Sequence, residues 1–216
     1  MQSIVGKWPA LKLKILCLGA HPDDIEIGCG GTILRILASI REAEIRWVVF
    51  SATADRKKEA IESAGRFLRA AKTKKIDVRR FRESFFPYQG EAIKKEFEQI
   101  KRTYQPGIIF THYRHDLHQD HRVVNELTWN TFRNHLILEY EIPKYDGDLG
   151  IPNTFVQLEE DHCMDKVRNL MECFQSQQAR HWFTEDTFLA LLRLRGIESG
   201  GTSRYAEAFY CRKLVW

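Results

Sequence analysis

Two short segments hold most of the side chains able to do chemistry in this chain: His21-Pro22-Asp23-Asp24 and His118-Gln119-Asp120-His121. A catalytic zinc site draws three protein ligands from His, Asp and Glu and leaves one position open for water. His21, Asp24 and His121 offer two imidazoles and one carboxylate, the donor set such a site needs, and the same donors suit Fe2+. Asp23 is then left unligated beside the ion, placed to take a proton from water. A metal there acidifies the water it holds enough for attack on an amide carbonyl. His118 precedes His121 by three residues and can enter the same cavity, where it suits oxyanion stabilisation and proton donation. Asp120 could bond the other ring nitrogen of His118 and favour its charged form.

Each cluster has a plainer competitor. Paired aspartates after a strand often cap a helix, so Asp23 or Asp24 is alternatively an N-cap. His112 and His115, earlier in the same His-rich stretch, read as solvated or as local hydrogen-bond partners. Gly28-Cys29-Gly30-Gly31 suggests a dinucleotide fingerprint, but G-x-G-x-x-G needs glycine where Ile33 stands. Two carboxylates at that turn would also repel a pyrophosphate, so a dinucleotide is excluded. The glycines are read instead as letting the backbone pass closely under the metal site and open a helix. Glu207, in the apolar run AEAFY, is an odd residue to bury; it is expected to line the pocket for a sugar hydroxyl, the alternative being a structural ion pair.

The elements that must position these residues follow from periodicity. KILCLGA (14–20), IRWVVF (45–50), 76–81 and GIIFT (107–111) are short apolar runs of the kind found in buried strands, and amphipathic stretches at 30–43, 55–71, 91–104 and 120–134 alternate with them as helices. Later segments predict strands at 136–142, 154–158 and 207–215, helices at 161–176 and 186–194, and a surface loop from Pro143 to Pro152. Such alternation predicts an α/β, Rossmann-like fold, a mostly parallel sheet with helices on both faces. Ligands of such sheets sit at the carboxyl ends of strands. The first cluster leaves the first strand and the second leaves the fourth, which are neighbours in the commonest doubly wound orders.

Composition narrows the class. With 216 residues, 44% of them hydrophobic, the chain suits one domain, 1–216, with a sizeable core. The 33 Lys and Arg are scattered without a basic patch interleaved with aromatics, which argues against nucleic acid, and the net charge of +4 suits an anionic small substrate such as a phosphorylated sugar. Five cysteines without a Cys-x-x-Cys pair predict reduced thiols and a cytoplasmic location. No stretch approaches the ~20 apolar residues of a membrane span, and Met1 to Lys14 lacks the long apolar run of a secretory signal. An oligomer is compatible with all of this.

The residues resemble the PIG-L/LmbE-like family of zinc-dependent de-N-acetylases, through AHPDDIEIGCGGT (20–32), HQDHRVV (118–124), Ser176-Gln177 and RYAEAF (204–209). The resemblance implies a Rossmann-like domain with zinc at His21, Asp24 and His121, Asp23 as general base, and His118 as oxyanion-stabilising acid assisted by Asp120. It implies an N-acetylglucosamine conjugate or oligosaccharide as substrate, contacted by Arg56. Many members carry a Thr-Asn-Gly-like turn after the second strand, where this chain has Ser51-Ala52-Thr53-Ala54, so substrate preference is not transferable from any one relative. The rivals are hydrolysis of a different C–N bond on the same metal site, as in a thiol conjugate or a chitin-derived disaccharide, and a non-catalytic carbohydrate- or partner-binding domain.

Overall fold

The computed structural model describes residues 13–40 and 42–215, so the reading of the extreme N-terminus lies outside the described residues. Its strands are β1 (Lys14–Gly19), β2 (Glu44–Val49), β3 (Thr73–Val78), β4 (Ile108–His112), β5 (Leu136–Tyr140), β6 (Thr154–Leu158) and β7 (Tyr205–Cys211). The helices are α1 (Asp24–Ser39), α2 (Ala54–Phe67), α3 (Gly90–Thr103), α4 (Gln119–Thr131), α5 (Glu160–Cys173) and α6 (Glu185–Glu198). One sheet runs β3-β2-β1-β4-β5-β7-β6, parallel from β3 to β5, with β7 antiparallel to both of its neighbours. The expected α/β, mostly parallel architecture is the one observed, and β1 and β4 lie side by side.

Alternation along β1 explains why both sheet faces are covered. Ile15 and Cys17 join a core with residues of α1, α2, α5 and α6, whereas Leu16 and Leu18 join another with residues of α3 and α4. Buried on both sides, the strand reads as one apolar run. The edges are protected differently. In β3 the edge begins with exposed Thr73, Lys74 and Lys75, and the two lysine charges discourage further pairing. At the other edge the Arg35 guanidinium donates to the Gln157 carbonyl of β6. The lysines also explain why β3 starts three residues before the apolar signal at Ile76.

Helix α1 begins at Asp24, not at Gly30, because packing overrides the poor helix propensity of glycine. A Cβ at Gly28 would stand 2.1 Å from the Tyr140 ring, and one at Gly31 would stand 2.5 Å from Leu158 Cδ1. These glycines let α1 lie directly on β5 and β6. The helix is also clipped from the side. Buried Lys166 of α5 donates to the Ile27 carbonyl at 2.6 Å, and Glu207 of β7 accepts the N–H groups of Gly31 at 2.8 Å and Thr32 at 2.6 Å. Lys166 and Glu207 are themselves paired at 2.6 Å. This corrects the expectation for Glu207. Both of its oxygens are engaged by helix amides and an ammonium, so it is a structural carboxylate and not a contact for a sugar hydroxyl.

Candidate active site

The site is built where β1 and β4 end. Between β1 and α1 the chain turns through Asp23, which adopts a left-handed conformation (φ 92°) that Asp tolerates better than most residues. Asp23 occupies the N-cap position but makes no side-chain cap bond. Asp24 is the first residue of α1, and its Oδ2 accepts the His21 N–H at 2.7 Å. The capping alternative therefore fails for Asp23, and the turn presents His21, Asp23 and Asp24 together, all buried.

Across from them, His118 is the N-cap of α4 and His121 lies in its first turn. His121 Nε2 stands 3.3 Å from His21 Nδ1 and 3.5 Å from Asp24 Oδ1, while His21 Nδ1 stands 3.6 Å from Asp24 Oδ2. Ligands ~2.0–2.1 Å from a tetrahedral ion are ~3.3 Å apart, close to each of these separations, with a different Asp24 oxygen facing each imidazole. His121 belongs to two overlapping donor clusters, with His21 and His118 on one side and Asp24 and His112 on the other.

The outer partners decide which nitrogens face inward. His21 Nε2 bonds Asp120 Oδ2 at 3.0 Å, and His121 Nδ1 bonds Asp116 Oδ2 at 2.9 Å. Burial alone would raise the carboxyls of Asp116 and Asp120, but His121 beside Asp116 and His21 beside Asp120 hold both below the usual range. Ionised carboxylates can only accept, which puts the ring protons on the outer nitrogens and turns two imidazole lone pairs towards the Asp24 carboxylate. Burial likewise opposes ionisation of Asp24, and His121 and His112 outweigh it, holding Asp24 well below the carboxylate range. Three acceptors facing one another demand positive charge. Burial lowers His121, yet Asp24 and Asp116 carry it up to about 10.

Asp23 sits beside this cluster without joining it. Burial pushes its carboxyl up to about 8, opposed by Arg56, whose Nη2 donates to Asp23 Oδ2 at 2.9 Å and to the Pro22 carbonyl at 2.6 Å. A carboxyl titrating near neutrality can accept a proton and return it. Arg56, expected as a substrate contact, has its guanidinium on Asp23, while its Nε–H is buried with no partner.

Two expectations are corrected. Asp120 does not bond the side chain of His118. Its carboxylate is held by His21 and by the N–H groups of Ser84 at 2.6 Å and Phe86 at 3.1 Å, because the turn before α3 folds over it. His118 Nδ1 instead accepts the Asp120 N–H at 3.2 Å. Burial, then His121 and His21, push the His118 ring down, so it is neutral and carries its proton on Nε2. His112 is not solvated. It is fully buried at the end of β4, stacked on His121 with ring centroids 3.9 Å apart, and accepts the Ala20 N–H at 3.0 Å. His115 is exposed, as expected.

Asp116 and Lys144 escaped the sequence reading. Asp116 bonds His121 and accepts the His118 N–H at 2.8 Å, and Lys144, from the 143–152 loop, pairs with it at 3.0 Å and also with Asp148. A metal-ligating histidine ordinarily needs a carboxylate behind it. That requirement, applied to HDLHQDH, points to Asp116.

Comparison with known proteins places the chain among relatives. Residues 16–132, which include both polar clusters, match the PIG-L family model, described as GlcNAc-PI de-N-acetylase. The chain is similar to the diacetylchitobiose deacetylase of Thermococcus kodakarensis, 31% identical over 123 residues, which are 50% of this chain and 45% of that protein. It thus spans about half the length of the curated relative it matches. In three dimensions it resembles the N,N'-diacetylchitobiose deacetylase of Pyrococcus horikoshii (TM-score 0.72, 24% identity, 92% of this chain and 83% of that one). It equally resembles the 4-carboxy-2-hydroxymuconate hydratase of Pseudomonas putida KT2440 (TM-score 0.75, 13% identity, 94% and 98%). These likenesses show the fold, and the same fold carries different reactions.

Proposed function

The chain belongs to the PIG-L family, and from that premise we propose that it is a metal-dependent hydrolase that removes the N-acetyl group from an N-acetylglucosamine-type amino sugar or its conjugate. The observation that carries this reading is the inward convergence of His21 Nδ1, His121 Nε2 and the Asp24 carboxylate, with Asp23 unligated alongside. Two histidines and one carboxylate suit zinc, and Fe2+ binds the same donors. The ion supplies Lewis acidity to water and to the amide carbonyl.

The remaining steps fall to the chain's own groups. Asp23 takes a proton from the attacking water as its oxygen bonds to the acetyl carbon. His118, with its proton on Nε2, donates a hydrogen bond to the carbonyl oxygen as that oxygen becomes negative. When the C–N bond breaks, the amine nitrogen takes the proton that Asp23 received, leaving acetate and a free amine. Arg56 opposes the neutralisation that burial imposes on Asp23, and Asp120 and Asp116 orient the two histidines.

The diacetylchitobiose deacetylase relative supports an amino-sugar substrate. All five cysteines are free thiols, which supports a cytoplasmic location, and among the described residues no helix is long and apolar enough to cross a membrane. The test is acetate release from a panel of N-acetylglucosamine conjugates by zinc-loaded, iron-loaded and chelator-stripped protein. Release that needs the metal supports the reading, and none from any conjugate with either metal sinks it.

A further inference from the structure

The segment 82–89 is a small closed turn. Arg82 and Gln89 exchange two bonds, Arg82 N–H to Gln89 Oε1 at 3.2 Å and Gln89 Nε2 to the Arg82 carbonyl at 3.0 Å. Within it, Ser84 takes a left-handed conformation (φ 65°), an uncommon one for a residue with a Cβ. This bend brings the N–H groups of Ser84 and Phe86 together onto the Asp120 carboxylate, a nest for an anion. Gln119 adds a bond to the Ser84 carbonyl at 2.6 Å. The turn is therefore locked to the carboxylate that holds His21, and the Phe86 ring packs 6.0 Å from the His21 ring. Glu83 lies near enough for its charge to act on Asp23.

That lock has a consequence for the residues between the anchors. With Phe86 buried, Phe85 must face outward and is 36% exposed, while Tyr88 is 81% exposed. Their rings lie 6.0 Å apart, and the Arg82 guanidinium lies on Phe85, 3.5 Å from its centroid. Two large rings and a planar cation are thus displayed on the turn whose backbone holds Asp120. Their neighbours in sequence include Arg80 and Glu83, which are exposed, and Gln89, which is half-buried.

We propose that Phe85, Tyr88 and Arg82 form a stacking platform for a second sugar ring, the one linked to the acetamido sugar whose amide is cut. This assignment rests on the amino-sugar reading above and names the class within it: an oligosaccharide in preference to a single sugar. A pyranose presents CH-rich faces to aromatic rings and hydroxyls at its rim to the five donors of a guanidinium. The guanidinium of Arg82 beside the two rings suits such a ring better than a lipid tail. Because the turn is pinned through Asp120, the platform stands at a fixed offset from His21, which makes it a gauge for what extends beyond the acetyl group.

The experiment compares the zinc-loaded parent with Phe85→Ala, Tyr88→Ala and the double variant. Substrates are N-acetylglucosamine, its 1-phosphate and N,N'-diacetylchitobiose, and the readout is the kcat/KM ratio of disaccharide to monosaccharide. Each single change should lower that ratio roughly three- to tenfold through KM, with kcat and the monosaccharide rate retained. Phe85→Trp should keep the preference. Equal loss on both substrates, or an unchanged ratio, overturns the platform. So does a preference for the 1-phosphate that depends on Arg82→Ala alone, or a change of oligomeric mass in the double variant at constant ratio. If the parent releases acetate from none of them, titration with diacetylchitobiose separates the two ideas. Binding weakened by the double variant keeps the platform while the hydrolytic reading falls, and binding that is absent or indifferent to the variant overturns the platform.

Discussion

At the scale of single residues, ligand, orienting group and base have distinct signatures. His21→Ala, Asp24→Ala and His121→Ala each remove one of the three proposed ligands and should abolish tight metal binding in a chelator competition. Asp120→Asn and Asp116→Asn act one bond further out and should weaken affinity by about 10–100-fold. Asp23→Asn should leave the ion bound and slow turnover by ~10²–10⁴-fold. Metal loss in Asp23→Asn with a rate restored by excess zinc would make it a ligand. Arg56 has its own test. Asp23, raised by burial to about 8 against the pull of Arg56, loses that pull in Arg56→Met. A carboxylate deprived of a neighbouring cation is harder to ionise, so its pKa rises. The acid limb of the pH–rate profile should therefore move to higher pH, and because a bound ion acts on both proteins the direction is unaffected by it. An unmoved limb, with only KM raised, would restore Arg56 to substrate binding.

At the scale of elements, the start of α1 sets Asp24 and the preceding Asp23 in place, and its side is held by Lys166 from α5 and Glu207 from β7. The Lys166–Glu207 pair is almost wholly buried, with side chains 3% and 2% exposed, so removing one partner strands a charge. Lys166→Met should cost roughly 3–5 kcal/mol of unfolding free energy in denaturant titration. The Lys72–Glu42 pair, with side chains 60% and 55% exposed, provides the contrast, and Lys72→Met should cost about 0–1 kcal/mol. Similar losses for both variants would mean that the clip adds nothing to α1.

At the scale of the whole molecule, the ion would join two βα units whose ligands are 100 residues apart in sequence, as His21 and His121 are. Metal bound only by the folded state stabilises it by about 2.7 kcal/mol at a free concentration of 100 times Kd. Zinc should raise the unfolding midpoint of the parent and of Asp23→Asn, and should leave Asp24→Ala unmoved. A midpoint in the parent indifferent to zinc would show that the folded cluster has no preferential affinity for it.

What the sequence determined by itself was local and periodic. Continuous apolar runs and amphipathic stretches specify buried strands and their helices, because a parallel sheet covered on both faces leaves no solvated face along its central strands. The candidate donors were also legible as types, since only certain side chains can hold a catalytic metal and they stand in two short clusters. Tertiary structure decided what depends on contacts across the chain. It sent Asp120 to His21, put Asp116 and Lys144 behind His121, buried His112, and tied Glu207 to the flank of α1. It also made the glycine-rich segment helical, since the neighbouring Tyr140, Leu158 and Phe67 make the absence of a Cβ an advantage there. Residue type limits what a group can do, but a carboxylate's partner is whichever cation or amide the fold brings within 3 Å, and the chain's own spacing does not contain that distance.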